Sequence, residues 1–509
     1  MKSILLAAWI AALGTLAIAA DWRTYGADPQ RTGWAINEKR LTKANVSKLK
    51  LEWSLKLDNA PIELYSLTVP LVSVNTITPK GFRDLVITAG SSDNLYAIDA
   101  DTGKLEWKKT FGREGGAPLN RGTGGWLCPN ALVATPLYDA KTRTVHVISS
   151  DGRLHSINVV NGEDRNAPVQ FVPPYSKNWS MNLVDGVLYT AISQGCNRAK
   201  NGVYAMDLND PKRPVTLFQT AGGVWGRAGV AIGDDGKVYA EIGDGAFDPE
   251  AGKYSDAVIQ LEPNTLKLLD YYAPKNQRFI DKKDLDMGNI SPVVFPWKGR
   301  DLIAASGKEG VIYLLDSKSP GGEDHRTPLF RSPLYTNEEA NFMMRGFWGA
   351  FGTWEENGSR WLLGAAYGPP HPQTPAFPHQ YGKAENGSIM AFKVVEKDGK
   401  PVLDPAWMSV DMIAPDPPVV ANGVVYVVST GDESRQVDSG GRILTSKERI
   451  DTSKPAILYG LEAETGKVLY SSKDLIKTFT HFSGLAISEG RIYVVDANST
   501  LYAFGTGEE

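Results

Sequence analysis

The chain has 509 residues, with 54 Lys and Arg set against 58 Asp and Glu for a formal net charge of −4. That balance, with no long basic run, argues against nucleic acid or an anionic membrane surface as a partner. Glycine at 51 residues and aromatics at 10% fit an all-β chain with many tight turns.

Residues 1–20 read as a signal peptide. Lys2 gives a positive start, Ile4 to Ile18 is apolar, and Ala-Ile-Ala-Ala closes with small residues before Asp21. No cysteine follows the apolar run, so a lipoprotein anchor is not indicated. No other stretch is apolar for long enough to span a bilayer. The mature chain, 21–509, is therefore expected to be exported, to a periplasm or beyond.

The next element is a strand over Leu49–Leu57, alternating and carrying Trp53, with no partner nearby in sequence. From Leu95 onward a five-residue phrase recurs eight times: apolar, bulky, small, apolar, then usually an acid or amide. Leu95-Tyr96-Ala97-Ile98-Asp99 is the first copy, and the others start at Leu154, Val203, Val258, Ile312, Ile389, Leu458 and Leu501. Several are followed by a Thr-Gly-Lys turn and an aromatic strand ending, as in Thr102-Gly103-Lys104-Leu105-Glu106-Trp107. Strands rich in Val, Ile and Tyr precede them, joined by Asp-Gly, Asn-Gly or Glu-Gly turns that supply positive φ.

Short strands repeating at this period predict a β-propeller, one four-stranded blade per copy and eight blades in all. The final repeat lacks an outer strand, so Leu49–Leu57 is expected to complete it and close the ring. The mature chain then forms a single propeller domain. Long insertions flank Ile389, and the proline-rich segment 369–379 reads as a loop shaping one mouth of the central funnel. Export makes a disulfide between Cys128 and Cys196 chemically permissible. Neither lies in a Cys-x-x-Cys-His pattern, so no haem is expected to be attached covalently.

Trp22-Arg23-Thr24-Tyr25-Gly26, with the Leu41-to-Trp53 stretch, resembles the opening of the alcohol dehydrogenases dependent on pyrroloquinoline quinone (PQQ). The resemblance runs over essentially the whole mature chain and implies candidate site residues. Asn120-Arg121-Gly122 is similar to the segment whose arginine reaches a quinone carboxylate. Trp225, in Gly223-Val224-Trp225-Gly226, looks like the floor on which the quinone stacks. Asp284, in Asp281-Lys282-Lys283-Asp284-Leu285-Asp286, is implied as catalytic base. Asp286 matches the extra acid of lanthanide-dependent relatives. Lys308 stands where the family carries an arginine facing the reactive quinone carbonyls.

The chemistry agrees with those residue types. PQQ carries three carboxylates, for which Arg121 and Lys308 would supply charge-assisted hydrogen bonds. Calcium or a lanthanide needs oxygen donors. Asn197 stands where a glutamate ligand is expected, and Asp244 where an asparagine is, so the implied metal set is Asn197, Asp244, Asp284 and Asp286. The family's paired adjacent cysteines are absent; Cys128 and Cys196 are expected to pair near the quinone in their place. Each residue also has a plainer reading: Trp225 as blade packing, Asp284 and Asp286 as turn caps, Lys308 as a solvated turn residue. The blade-phrase acids, such as Asp99, are read as structural because they recur.

Two functions follow. The first is an exported, PQQ- and metal-dependent dehydrogenase that oxidises an alcohol or aldehyde and passes electrons to a separate acceptor such as a cytochrome c. The second is a non-catalytic PQQ-like propeller serving as a protein-binding scaffold, which predicts no central cluster of charge and aromatics.

Overall fold

The computed structural model describes residues 21–112, 124–341 and 344–507. Eight antiparallel sheets follow one another along the chain, each a meander whose first strand lies innermost. In the first blade the strands are Leu71–Thr78, Gly81–Gly90, Asn94–Asp99 and Leu105–Thr110. Every recurring phrase lies in or at the start of the third strand of its blade, from Asn94–Asp99 to Thr500–Gly505. The eighth blade takes its outer strand, Lys50–Lys56, from the other end of the chain, paired antiparallel with Thr500–Gly505. The expected eight-bladed ring and its closure are both present.

Tryptophan and glycine in the repeat have a shared cause. Trp53, Trp107 and Trp407, on outer strands, each donate an indole N–H to a carbonyl of the following blade: Ala100, Val159 and Ala463. Each ring lies on the turn glycine there, Gly103, Gly162 or Gly466, where a Cβ would come within 2.7 Å of it. Asp99 accepts from the Thr102 amide and hydroxyl and so builds that turn. The apolar core is a series of layers between neighbouring blades, among them Val187 to Ala273 between the third and fourth.

The stretch Trp22–Ala35 runs around the inside of the ring. Its backbone bonds to Val72, Tyr138, Ile232, Val294, Thr353 and Val420, innermost residues of six blades in order. Thr24 and buried Arg31 reach Met181 of the third blade. An innermost strand has one unpaired edge, and this segment supplies partners to that edge blade after blade.

Candidate active site

In an antiparallel four-stranded meander, the loop between the second and third strands and the connector to the next blade leave by the same face. On that face a cavity of about 380 Å³ opens at the ring axis, within the size range of small-molecule sites. Trp225 and Arg227 reach it from the connector between the third and fourth blades, and Asp244 from a loop of the fourth. Asp284 and Asp286 follow the helix Gln277–Lys283, which leads into the fifth blade, and Lys308 comes from a loop of that blade. Lys177, Trp348, Arg449 and Phe482 complete the parts used below.

Close approach of the backbone makes this convergence possible. Trp225 N–H donates to the Gly288 carbonyl, and Gly243 N–H to that of Gly223. A Cβ on Gly243 would stand 2.7 Å from an Asp286 carboxylate oxygen, and one on Gly288 would strike the Gly243 nitrogen. Asp284 caps its helix in the left-handed region, φ 51°, and Arg345 donates to the carbonyls of Lys283 and Asp284.

One wall is acidic. Asp244, Asp284 and Asp286 each offer an oxygen within 4.8 Å of the others. Lys308 Nζ lies 2.5 Å from Asp284 and 2.6 Å from Asp286. Burial opposes its charge, yet Asp286 and Asp284 hold the lysine above its ordinary pKa. Burial, then Asp286 and Asp284, pushes Asp244 up to about 9, and its buried Oδ1 has no hydrogen-bond partner among the described residues. Burial also raises Asp286. Behind them Asp256, raised to about 8 by burial and Asp286, accepts from Met287 N–H and Gln277.

The opposite wall is basic. Arg227 pairs with Asp416 at 3.1 Å and stacks on Phe482, while Arg449 pairs with Asp432 at 3.3 Å. His481 meets the same aspartate at 2.6 Å; burial outweighs that attraction and lowers its pKa to about 4, so the neutral ring donates from Nδ1. Lys177 Nζ is 5.0 Å from the centre of the Trp225 ring.

Of the residues singled out in the sequence, Trp225, Asp244, Asp284, Asp286 and Lys308 line this one cavity. Asn197 does not. Its amide nitrogen donates to Asn130 Oδ1 and the Tyr175 carbonyl, which holds it against the second-blade side. Arg121 lies outside the described residues. Cys128 and Cys196 are joined in a disulfide, which ties together the turns that follow lining residues Leu127 and Gln194. Lys177, Arg227, Arg449 and Trp348 carried no signal in the sequence, since each belongs to a different loop or strand.

The residues present suit a flat polyanion beside a hard cation. Among the described residues, Trp225 offers an aromatic face, four cationic side chains line the space, and the acidic wall supplies oxygen donors alone, one of them an Asp244 oxygen with no hydrogen-bond partner.

The chain resembles known proteins in fold and, over part of its length, in sequence. The family model described as PQQ: Glucose/ethanol/alcohol dehydrogenase, beta-propeller domain matches residues 22–168. No curated protein matches the chain. Among solved structures, the quinohemoprotein alcohol dehydrogenase from Comamonas testosteroni is 14% identical, with a TM-score of 0.62 over 96% of this chain and 81% of that one. A europium-containing methanol dehydrogenase is 12% identical, TM-score 0.60, over 96% and 98%. The quinohemoprotein alcohol dehydrogenase ADHIIG from Pseudomonas putida HK5 is 15% identical, TM-score 0.60, over 96% and 81%. The chain thus has the fold of the quinoprotein alcohol and methanol dehydrogenases, and from Trp22 into the second blade it matches the PQQ dehydrogenase family in sequence as well.

Proposed function

We propose that the protein is an exported, PQQ- and metal-dependent dehydrogenase that oxidises an alcohol or aldehyde and delivers the electrons to a separate acceptor such as a cytochrome c. The observation that carries this reading is the meeting, in one axial cavity, of Trp225, an acidic trio and a set of cations drawn from different blades. A scaffold propeller requires no such cluster.

In this reading Trp225 holds the flat cofactor, and Lys308 faces its reactive edge. Bound PQQ supplies an electrophilic carbonyl that accepts two electrons from the substrate carbon. Asp244, Asp284 and Asp286 would hold calcium or a lanthanide, whose charge offsets their mutual repulsion. Asp284, the most exposed of the acids paired with Lys308, accepts the substrate hydroxyl proton. Lys308 orients that carboxylate through its 2.5 Å contact. Neither Cys128 nor Cys196 lies in a Cys-x-x-Cys-His pattern, and that supports the reading of a separate acceptor.

Reconstitution of the mature protein with PQQ and calcium or a light lanthanide tests the proposal, read as quinone uptake and as dye reduction by short alcohols. Stoichiometric uptake with turnover supports it; no uptake with either metal removes it.

A further inference from the structure

Among the described residues four cations line the cavity, and three have carboxylate partners. Arg227 is paired with Asp416, Arg449 with Asp432, and Lys308 with Asp284 and Asp286. Lys177 differs. It is 2% exposed, and among the described residues no carboxylate lies within ion-pair distance of it. Its Nζ has the Trp126 carbonyl at 3.5 Å and three aromatic faces: Trp225 at 5.0 Å, Trp179 at 5.5 Å and Tyr65 at 5.6 Å. The charged groups that face it are themselves cationic, Arg227 from the connector and Arg449 from the helix Ser446–Thr452. A buried ammonium in such company is costly unless an anion completes it.

Position decides which anion. Lys177 Nζ lies over the Trp225 ring, 5.0 Å from its centre, and both side chains line the one cavity. A flat anion held in this cavity against Trp225 therefore comes within reach of this ammonium. We propose that Lys177 is the anion anchor of the cofactor pocket, holding a carboxylate of the quinone that stacks on Trp225. The assignment rests on the PQQ reading and adds a residue that no sequence motif marks.

It has a consequence in pH. Burial, then Arg449 and Arg227, lowers Lys177 to about 7. A carboxylate beside it raises that value, so binding takes up a proton wherever free Lys177 is neutral. Affinity for the quinone then falls as pH rises above about 7, by at most about tenfold per pH unit. Asp256 and Asp244 also titrate near pH 8 and 9, and a variant with a permanent charge at position 177 separates their share.

The test is PQQ binding by quenching of tryptophan fluorescence, with saturating calcium, from pH 6 to 9. It compares the mature protein with Lys177→Met and Lys177→Arg. Lys177→Met is expected to bind about tenfold or more weakly at pH 6.5 and to lose most of the pH dependence. Lys177→Arg is expected to bind with a flatter profile than the parent. Removing an unpaired buried charge leaves the apoprotein of Lys177→Met no less stable, which a thermal melt verifies. A Met variant with parental affinity and profile overturns the anchor while leaving the quinone reading intact. Absence of PQQ binding by the parent at pH 6.5 overturns both.

Discussion

Asp284 and Asp256 are two carboxylates of one acidic region with different work. Asp284 is partly exposed, faces the cavity and is fixed by Lys308 and by a left-handed backbone. Asp284→Asn is expected to keep quinone uptake while turnover falls by about 10²–10⁴-fold, as for loss of a general base; dye reduction by the reconstituted variant measures it. Asp256 lies behind the cavity, and its folded pKa of about 8 stands above the ordinary 3.8. Its contribution to stability is complete below pH 4 and is lost progressively as pH rises to about 8, because the unfolded chain sheds that proton first. Asp256→Asn, measured by urea unfolding with a chelator present, should match the parent near pH 4. It should then exceed it increasingly up to pH 8, by at most about 1.4 kcal/mol per pH unit.

Between elements, the contact of tryptophan with a turn glycine joins one blade to the next, and glycine substitutions isolate it. Gly466 and Gly399 share nearly the same φ, +75° and +74°, but a Cβ at 466 would lie 2.4 Å from Trp407 whereas one at 399 meets nothing within 4 Å. Both alanine variants incur backbone strain, and only Gly466→Ala also disturbs the interface. Its excess loss of stability over Gly399→Ala should be about 1–3 kcal/mol in denaturant unfolding. This contact also explains part of why the blades were legible in the sequence: Thr-Gly turns and outer-strand tryptophans recur where an interface is built on them, as at Trp53, Trp107 and Trp407. Nothing repeats in the cavity. Trp225, Asp244, Asp286 and Lys308 were recognisable only through resemblance to a family, since each sits on a loop particular to its blade. Lys177 and Arg449 are 272 positions apart in the chain, and only the closed ring sets them side by side. Asn197 was given a ligand's place by position alone; in the structure its amide nitrogen donates to Asn130 and Tyr175.

For the molecule as a whole, the N-terminal residues act twice. Lys50–Lys56 completes the last blade, and Trp22–Ala35 pairs with innermost strands around the ring. The first role could be read by counting strands; the second could not, because bonds to six different blades leave no periodic trace in fourteen residues. A chain beginning at Asn37 keeps the closing strand but leaves the inner edges unpaired. It should melt at markedly lower temperature or associate, as calorimetry and sizing would show; an unchanged melt would mean that the girdle is dispensable.

The central claim is that the axial cavity holds PQQ on Trp225 beside a metal. Equilibrium titration of the purified mature protein with PQQ, with calcium or a light lanthanide present, tests it most directly. The account predicts one quinone per chain, with uptake lost in Trp225→Ala and more metal needed to support it in Asp286→Asn. No uptake with either metal, or uptake untouched by Trp225→Ala, would contradict it.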